Sequence, residues 1–384
     1  MEDFLPKATV YGRERNFVRP GHPAVSRLSP LLRHRLLLER EVADAAIRRH
    51  GCGRVEKFVQ EVYWRRYWKA WLSLRPQVWR EAIAYPEPRR DTAEGARALD
   101  VESGKSGNAV IDRFSRELVA TGYLHNHARM WFAAWWIHRA GLPWQWGAAF
   151  FMSHLLDGDP ASNTLSWRWV AGLQTPGKTY LARRGNLEKY LDEEILAEVR
   201  GSLAEFESPT PRLPESVQKP EITRASLDHE SVEESARTGI WIHEEDMSPE
   251  RSPLVRIADP AGVLVTGHPE GWGRHGFPER KMRWIEGALA DTSARTAEYW
   301  RCAVLYEMPT DLTARLADWA AERGVEQIVT LRPEPGPLDD SLDQTRVALA
   351  ESGVRLVMMD RPEDLELRPL AKRGFFAFWK QLSP

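Results

Sequence analysis

Two carboxylates, one amide and two indoles are concentrated in residues 157–169, whose sequence is DGDPASNTLSWRW. The apolar run at residues 150–156 predicts the end of a helix, and Gly158 ends it because glycine tolerates the backbone angles needed there. Pro160 lacks a backbone N–H and suits the first turn of the next helix. The predicted bend presents five polar or aromatic side chains near one another: Asp157, Asp159, Asn163, Trp167 and Trp169. By spacing alone, a helix–loop–helix corner with two core tryptophans is the favoured explanation, because Asp-Gly-Asp is common and aromatic clusters are usually core.

A second polar segment, residues 121–130, has the sequence TGYLHNHARM. Together with residues 157–169 it resembles the flavin pocket of the photolyase/cryptochrome family. That family has Thr-Gly-Trp-x-His-Asn-x-x-Arg-Met, followed by Asp-Gly-Asp, Asn and Trp-x-Trp. Both motifs occur here in the family's order and at its separation. The resemblance implies a helical domain that binds FAD without a covalent bond.

The resemblance assigns flavin contacts to eight residues: Tyr11, Ser26, Arg27, Ser29, Arg129, Asp157, Asp159 and Asn163. The segment VSRLS at residues 25–29 is similar to the family's Thr-Ser-Arg-Leu-Ser, which holds the flavin diphosphate, although Val25 replaces the first threonine. A plain helix N-cap is the alternative for this segment. Arg129 is expected to pair with Asp157 across the flavin, and a purely structural salt bridge is the alternative. Asn163 is expected opposite flavin N5, where plant cryptochromes have aspartate, and it therefore favours repair over signalling.

An aromatic stripe follows one face of the helix that is predicted around residues 61–71. Glu61, Trp64, Trp68 and Trp71 share this face, and the carboxylate is unusual for a core because its unpaired burial is costly. The stripe resembles the family's Glu-x-x-Trp-Arg-Glu-Phe-Tyr. In that segment the glutamate hydrogen-bonds a pyrimidine dimer and the tryptophan stacks on it.

The resemblance also implies which residues face the lesion or the DNA backbone. They are Glu61, Trp64, Asn126, Met130, Trp169, Arg183 and Arg184. A solvated basic loop is the alternative for Arg183 and Arg184. His127 stands where many relatives have an arginine that faces DNA phosphate, and Arg66 replaces a glutamate that is common in the family.

The residues that the resemblance implies in catalysis are Glu61, Asn126, Trp144 and Trp167. The two tryptophans match the flavin-nearest members of the family's electron-transfer chain. The usual outer tryptophan has no match at the expected spacing, and Tyr85 is one candidate to replace it.

The composition sets the outer limits of these predictions. The chain has 384 residues and a formal net charge of -2, so any DNA contact must come from a local basic patch. Cys52 and Cys302 lie far apart and offer neither a metal nor a disulfide pattern, which favours a reducing cytoplasm and no metal site. The N-terminus lacks the pattern of a signal peptide, and no uncharged apolar run approaches the length of a membrane span.

The sequence pattern predicts three consecutive parts. Residues 1–206 are predicted as the all-α FAD- and lesion-binding domain, and residues 207–253, rich in Pro, Glu and Ser, as a linker or wrapping segment. Residues 254–384 are predicted as a smaller α/β domain with a parallel sheet. Its β-rich runs are residues 263–265, 303–306, 327–331 and 355–359.

This order departs from the family, in which an α/β antenna domain precedes the helical domain. Residues 374–380, with the sequence GFFAFWK, resemble the end of that antenna domain, so a permuted order is expected. No clear pocket motif accompanies it, and the antenna chromophore is left open.

The function implied by the resemblance is light-driven splitting of cyclobutane pyrimidine dimers by electron transfer from excited, reduced FAD. Damaged DNA is then the partner, and a monomer is expected. The alternative is a cryptochrome-like blue-light photoreceptor without repair activity. A non-catalytic DNA-binding protein is a third possibility, against which the complete flavin motif argues.

Overall fold

The computed structural model describes residues 1–175, 178–214, 217–224 and 230–382. The backbone divides into two units. The first consists of Met1–Pro30, Glu39–Trp68 and Gln77–Glu221. The second consists of Leu31–Leu38, Lys69–Pro76 and Ile222–Pro384. The predicted fold class, an all-α domain followed by a smaller α/β domain with a parallel sheet, is confirmed in its secondary structure and sheet topology.

Up to residue 206, each secondary-structure element of the described residues is a helix or a helical turn. The α-helices are α1 Tyr11–Glu14, α2 Ser29–Arg33, α3 Glu39–His50, α4 Cys52–Ser73, α5 Gln77–Ile83, α6 Ala93–Glu102, α7 Ala109–Thr121, α8 Asn126–Ala134, α9 Trp144–His154, α10 Pro160–Val170, α11 Arg184–Tyr190 and α12 Glu193–Val199. A π-helical turn, Trp135–Arg139, follows α8, and 3₁₀ turns lie at Leu5–Lys7 and Arg200–Phe206.

Local sequence signals fix the ends of the helices that carry the site. Asn108 caps α7, since its side chain accepts from the backbone N–H groups of Val110 and Ile111. The same helix ends at Gly122, whose φ of 70° is a left-handed conformation that glycine adopts without strain. Asp159 caps α10, and Pro160 occupies its first position, as the sequence predicts.

An aromatic core holds these helices together. Trp131, Trp136 and Trp167 are almost completely buried. The Trp167 ring meets Trp136 edge to face, with 6.2 Å between the ring centroids, and it packs in the same way on Phe151 at 5.1 Å. Gly147 lies directly against the Trp167 ring, and a Cβ at this position would overlap it. A glycine is therefore required on α9 for α10 to approach.

The second unit contains, within the described residues, one sheet of five parallel strands. They are β1 Thr238–His243, β2 Val263–Thr266, β3 Val304–Glu307, β4 Gln327–Leu331 and β5 Arg355–Met359, in the order β3-β2-β1-β4-β5. The accompanying helices are α13 Pro269–Arg274, α14 Glu279–Trp300, α15 Leu312–Arg323, α16 Asp339–Glu351, α17 Pro362–Leu367 and α18 Phe375–Leu382. Short 3₁₀ turns lie at Pro249–Arg251, Pro253–Arg256 and Arg368–Leu370.

The central strand corrects one feature of the predicted linker. Strand β1 lies inside residues 207–253, pairs with both β2 and β4, and is buried on both faces. Its apolar run is short and lies in a polar, Pro-rich region, so composition alone points to a linker. Residues 215–216 and 225–229 of the predicted linker lie outside the described residues. In the part of the chain that the structure describes, no helix is both long and apolar enough to cross a membrane.

Candidate functional site

The bend between α9 and α10 carries a buried cluster of opposite charges. Arg129 Nη2 donates to both carboxylate oxygens of Asp157, at 2.9 and 3.1 Å, and its Nε donates to the carbonyl of Leu124 at 2.8 Å. Arg65, from the middle of α4, lies 4.0 Å from the same carboxylate and 3.7 Å from that of Asp159. The predicted Arg129–Asp157 pair therefore exists, and a second arginine joins it.

Asp157 is held in its ionised form at this bend. Burial alone would raise the pKa of its carboxyl, but Arg129 and Arg65 outweigh burial and lower it. A hydrogen bond from the side chain of Ser29, at the start of α2, lowers the pKa further. Ser29 and Asp157, which the sequence predicts to share a site, are thus in direct contact.

Asp159 and Asn163 are fixed by α10 itself. Asp159 Oδ1 accepts from the backbone N–H of Ser162 at 2.7 Å, as a helix cap. Asn163 Nδ2 donates to the carbonyl of Ala148 on α9 at 2.8 Å. Because this bond uses the NH₂ group, it sets the orientation of the amide and turns the Asn163 carbonyl oxygen the other way.

The segment before α2 presents Arg27 to an aromatic ring. The guanidinium carbon of Arg27 lies 5.4 Å from the centroid of Tyr123, and that of Arg129 lies 5.7 Å from it. Burial raises the pKa of the Tyr123 hydroxyl to about 12, so this hydroxyl stays protonated. The hydroxyl of Ser26 is directed to the backbone N–H of Leu28 at 3.4 Å.

Glu61, one turn before Arg65 on α4, lies near Tyr11 of α1. The Glu61 carboxylate accepts from Arg15 at 2.9 Å and from Lys57 at 2.8 Å. The Tyr11 ring packs on Phe58, with the centroids 5.3 Å apart. Burial, and to a smaller extent the negative charge of Glu61, raise the pKa of the Tyr11 hydroxyl. Tyr11 therefore belongs to an aromatic corner next to Glu61.

The predicted lesion-facing residues lie on several helices and have different surroundings. Trp64 is half-buried and packs against Trp68, with 5.2 Å between ring centroids. Trp169 stacks on Tyr180 at 5.6 Å. Asn126 is exposed at the start of α8, with the half-buried Met130 one turn further along. Arg66, one residue after Arg65 on α4, is buried and lies 3.8 Å from the carboxylate of Glu39.

The tryptophans predicted to carry electrons differ in burial. Trp167 lies in the aromatic core, whereas Trp144 is half-buried beneath the guanidinium of Arg168, 5.9 Å from its ring centroid. Tyr85, the candidate outer residue, is exposed and meets Trp146 edge to face at 6.0 Å.

The basic residues predicted to face DNA divide into three cases. Arg183 is exposed, and Arg184 is already paired with Glu188 and Glu207. His127 is buried on the Trp131 ring, 4.2 Å between centroids, so it does not occupy a phosphate-facing position as an arginine would. Its Nδ1 donates to the carbonyl of Asn16, and burial lowers the pKa of the ring.

Comparison with known proteins agrees with this geometry. Residues 58–190 match the family model described as the FAD binding domain of DNA photolyase. The helical region of this chain is therefore similar to the FAD-binding domain of DNA photolyases. The match covers α4 to α11, which carry Arg65, Arg129 and Asp157. It supports FAD as the cofactor.

The relatives are similar over less than half of this chain. A deoxyribodipyrimidine photo-lyase from Streptomyces griseus is 33% identical over 47% of this chain and 41% of its own length. The Escherichia coli K12 protein of the same name is 30% identical over 45% and 38%. A Thermus thermophilus protein of that name is 35% identical over 47% and 42%. The chain thus spans about two fifths of the length of these curated relatives.

Two solved structures are similar at lower identity. A cryptochrome from Synechocystis sp. PCC6803 is 22% identical, with a TM-score of 0.43 over 53% of this chain and 43% of that one. A bacterial class III photolyase from Agrobacterium tumefaciens is 24% identical, with a TM-score of 0.44 over 58% and 51%.

The photolyase-type site includes residues that the sequence analysis did not select. Arg65 was missed, although it stands four residues after Glu61 and so shares its helical face. Tyr123 occupies the position of the family's tryptophan in the motif at residues 121–130, and its contacts with Arg27 and Arg129 give it a place beside the charge cluster.

The side chains at the bend fit a polar cofactor such as FAD. Within the described residues, Arg65 Nη1 and Ser162 Oγ are buried and have no hydrogen-bond partner. Buried polar atoms normally have partners, so these two favour an additional acceptor at this position. No group of three or more His, Cys, Asp or Glu side chains in the described residues is arranged to hold a metal ion.

The α/β unit has a charge cluster of its own at the carboxyl ends of β1 and β4. In a sheet with this strand order, that point is where the connections diverge and where ligands of open α/β sheets usually bind. Here Asp246, just after β1, accepts from Arg361 at 2.6 and 2.7 Å and from Arg35 at 3.0 Å. Glu245 accepts from Arg33 at 2.6 Å. The chain's own side chains therefore fill this point of the sheet.

One carboxyl of this second cluster stays protonated. Burial raises the pKa of Glu244 to about 8, and the neighbouring Glu245 raises it as well. Glu244 Oε1 accepts from the indole N–H of Trp272 at 3.0 Å, while Oε2 has no hydrogen-bond partner among the described residues. By contrast, Arg33 outweighs the effect of burial on Glu245 and lowers its pKa to about 2.

Proposed function

We propose that this chain is an FAD-dependent, light-driven repair protein that splits cyclobutane pyrimidine dimers in DNA. The observation that carries the proposal is the arrangement of α4. This helix holds Arg65 against the carboxylates at the α9–α10 bend and, one turn earlier, Glu61 beside Arg15. A residue of the charge cluster and the residue that the resemblance assigns to the lesion are thus one turn apart on the same helix.

In this proposal the protein's own groups bind and orient. Asp157, kept ionised by Arg129 and Arg65, provides a fixed acceptor at the flavin, and the Ser26–Ser29 segment provides hydroxyl groups for the diphosphate. Bound FAD would supply the photoexcited electron in its reduced form. Trp64 and Trp169 would stack on the extruded lesion, and Glu61 and Asn126 would hydrogen-bond it.

The energetics of such binding are reasonable. Extruding a damaged base pair requires a few kcal/mol, least where stacking is already weakened; photolyases are among the established base-flipping enzymes. Stacking on an aromatic side chain returns about 1–3 kcal/mol per base. Stacking on two half-buried tryptophans, Trp64 and Trp169, could therefore offset the free energy of extruding the damaged pair.

Asn163 supports repair over signalling. Its NH₂ group donates to the carbonyl of Ala148, an acceptor that could not pair with an ionised carboxylate. An aspartate here would set two oxygens 2.8 Å apart unless it were protonated. The local packing of α9 on α10 is therefore suited to the photolyase residue and opposed to the one found in plant cryptochromes.

A specific observation favours the photoreceptor as second candidate. The Glu61 carboxylate is already engaged by Arg15 and Lys57, which is also the arrangement of a structural ion pair. If Glu61 only joins α4 to α1, light would still act on the flavin but dimers would not be split.

The test is an illuminated repair assay with variants of Trp64. The flavin-loaded protein should split dimers in a short oligonucleotide under blue light and not in the dark. Trp64→Ala should weaken binding to dimer-containing DNA by about 1–3 kcal/mol, while binding to undamaged DNA and flavin content stay the same. Trp64→Phe, which keeps an aromatic face, should restore part of the difference.

Three results would contradict the proposal in different ways. A colourless protein, or one that releases only FMN on denaturation, would remove FAD. Equal weakening for both DNAs would make Trp64 a core residue. Flavin photoreduction without splitting would favour the photoreceptor.

A further inference from the structure

A cavity of the helical unit lies beside Tyr123, and its lining residues other than Tyr123 and Arg27 have no part in the proposed repair chemistry. It has a volume of about 570 Å³ and lies between the segment before α2, helix α7 and helix α12. Among the described residues, four arginines and two glutamates line it, so its walls carry an excess of positive charge. The arginines are Arg19, Arg27, Arg113 and Arg116.

The glutamates of the cavity are already engaged by specific partners. Glu117 is 2.9 Å from Nε2 of His22, and Glu198 pairs with Arg113. Arg116 donates to the carbonyl of Gly104, an uncharged acceptor, at 3.0 Å. Arg27 faces the Tyr123 ring. Arg19 donates to Glu14 at 2.7 Å, so the excess positive charge comes from Arg27 and Arg116, whose contacts are an aromatic ring and a carbonyl. This charge favours an anion.

Two buried polar atoms at the cavity have no partner. Within the described residues, Arg113 Nε and His22 Nδ1 are both buried and make no hydrogen bond. Buried polar atoms of this kind are rare, because each loses its water without replacement. They indicate that a further polar group completes the cavity.

The backbone around the cavity is also unusual. His22 and Arg27 both have φ of 54°, a left-handed conformation that costs non-glycine residues roughly 1–2 kcal/mol each. Such residues concentrate at ligand clamps, where the surrounding structure holds them in place. This observation is independent of the charges and points to the same location.

We propose that this cavity binds a small organic phosphate, held by Arg113 and Arg116 from α7 together with His22. Guanidinium groups bind phosphate oxygens in pairs and remain charged at all physiological pH values. A concave site with buried donors suits a compact ligand better than a DNA backbone, which needs an open, continuous surface. The proposal does not depend on the repair activity, because Arg113 and Arg116 are outside the predicted flavin site.

The test measures binding of inorganic pyrophosphate to the full-length, flavin-loaded protein by titration calorimetry. The double variant Arg113→Gln/Arg116→Gln should bind at least tenfold more weakly, with unchanged flavin content. The matched control is Arg97→Gln, an exposed arginine on α6 that does not line the cavity, and it should change affinity less than twofold.

A second measurement on the unaltered protein covers the case in which the double variant does not fold. Phenylglyoxal modification, read by mass spectrometry, should be slowed by pyrophosphate at Arg113 and Arg116 and unaffected at Arg97.

Several results would overturn the proposal. The first is an absence of binding between the wild-type protein and millimolar pyrophosphate. Equal binding by all variants would place the anion elsewhere, including the flavin-diphosphate segment. An undamaged oligonucleotide that binds through the same arginines and excludes pyrophosphate would assign the cavity to DNA backbone phosphate. None of these results depends on whether dimers are split.

Discussion

The helical unit and the α/β unit each bury a cluster of arginines and carboxylates, and the two clusters differ in completeness. At Asp246, three hydrogen bonds from Arg361 and Arg35 surround one carboxylate. At Asp157, Arg129 is hydrogen-bonded, but Arg65 stands 4.0 Å away, with a buried Nη1 atom that has no hydrogen-bond partner among the described residues. We call the first cluster closed, because both of its arginines hydrogen-bond the central carboxylate, and the second open, because only one of its two arginines does.

This difference separates structural from ligand-binding use of the same residue types. When a buried carboxylate is hydrogen-bonded by all of its arginines, removing it is costly because the arginines are left buried without a partner. A buried arginine held at a distance keeps hydrogen-bonding capacity for another molecule. The position in the fold does not decide the matter, because the closed cluster lies where α/β sheets usually bind ligands.

The largest expected effect comes from opening the closed cluster. Asp246→Ala leaves Arg361 and Arg35 buried without their carboxylate, and should lower the free energy of unfolding by about 3–5 kcal/mol. Although burial alone would raise it, the pKa of Asp246 is lowered to about 2 by Arg361 and Arg35, so the wild-type pair should persist at pH 4. Urea unfolding followed by circular dichroism measures the change.

The control for this variant is Asp291→Ala on α14. Its carboxylate pairs with Arg295 at the surface, at 2.9 Å and one turn apart. A loss of about 0–1 kcal/mol is expected. Similar losses for the two variants would mean that the Asp246 cluster is not a special source of stability.

The next effect is a pH dependence from Glu244. Its carboxyl is protonated in the folded protein up to about pH 8, whereas an unfolded glutamate ionises near pH 4.3, so the folded state binds the extra proton between these values. Stability from this group is complete at low pH and falls as pH rises through that window. Glu244→Gln should remove a decline of about 3–4 kcal/mol between pH 5 and pH 8.

His34, whose pKa burial lowers to about 3, contributes an opposite trend up to about pH 6.5, where the unfolded imidazole titrates, and this contribution is the same in both proteins. Unfolding curves of the wild type and Glu244→Gln at several pH values give the comparison. Parallel pH profiles for the two proteins would show that Glu244 is ionised in the folded state.

The smallest change in stability is expected at the open cluster. Arg65→Gln removes a guanidinium that makes only the longer contacts to Asp157 and Asp159 and leaves the Arg129–Asp157 pair intact, so the flavin-free protein should lose less stability than Asp246→Ala. FAD retained after gel filtration should fall severalfold, because Arg65 is expected to contact the cofactor. A variant that keeps its FAD while losing as much stability as Asp246→Ala would erase the distinction between the clusters.

Much of the helical site could be predicted because its signals are local. The glycine and proline at positions 158 and 160 define the bend, and the Arg129–Asp157 pair follows from two motifs that resemble the family. Strands β2 to β5 lie close to the predicted runs, because each is a short apolar segment between turns. These features depend on residues that are near one another in the sequence.

The remainder depends on long-range packing. Composition alone assigns strand β1 to a linker. Its burial follows from pairing with β2 on one side and β4 on the other, which composition does not show. The burial of His127 arises from Trp131 and the Asn16 carbonyl, which no short motif reveals. The pairing of Arg184 with Glu207 likewise joins residues far apart in the sequence.

The composition of the α/β unit has a consequence for synthesis of the chain. Its segment Leu31–Leu38 emerges from the ribosome early, while the partners Asp246 and Asp364 of Arg35 are made more than two hundred residues later. Until then this segment, with its apolar and arginine side chains, cannot form its native contacts. Folding is slow as a result, because these contacts close very long loops. A fragment that begins at residue 222 would lack these side chains altogether, so the unit is not separable by a single cut in the gene.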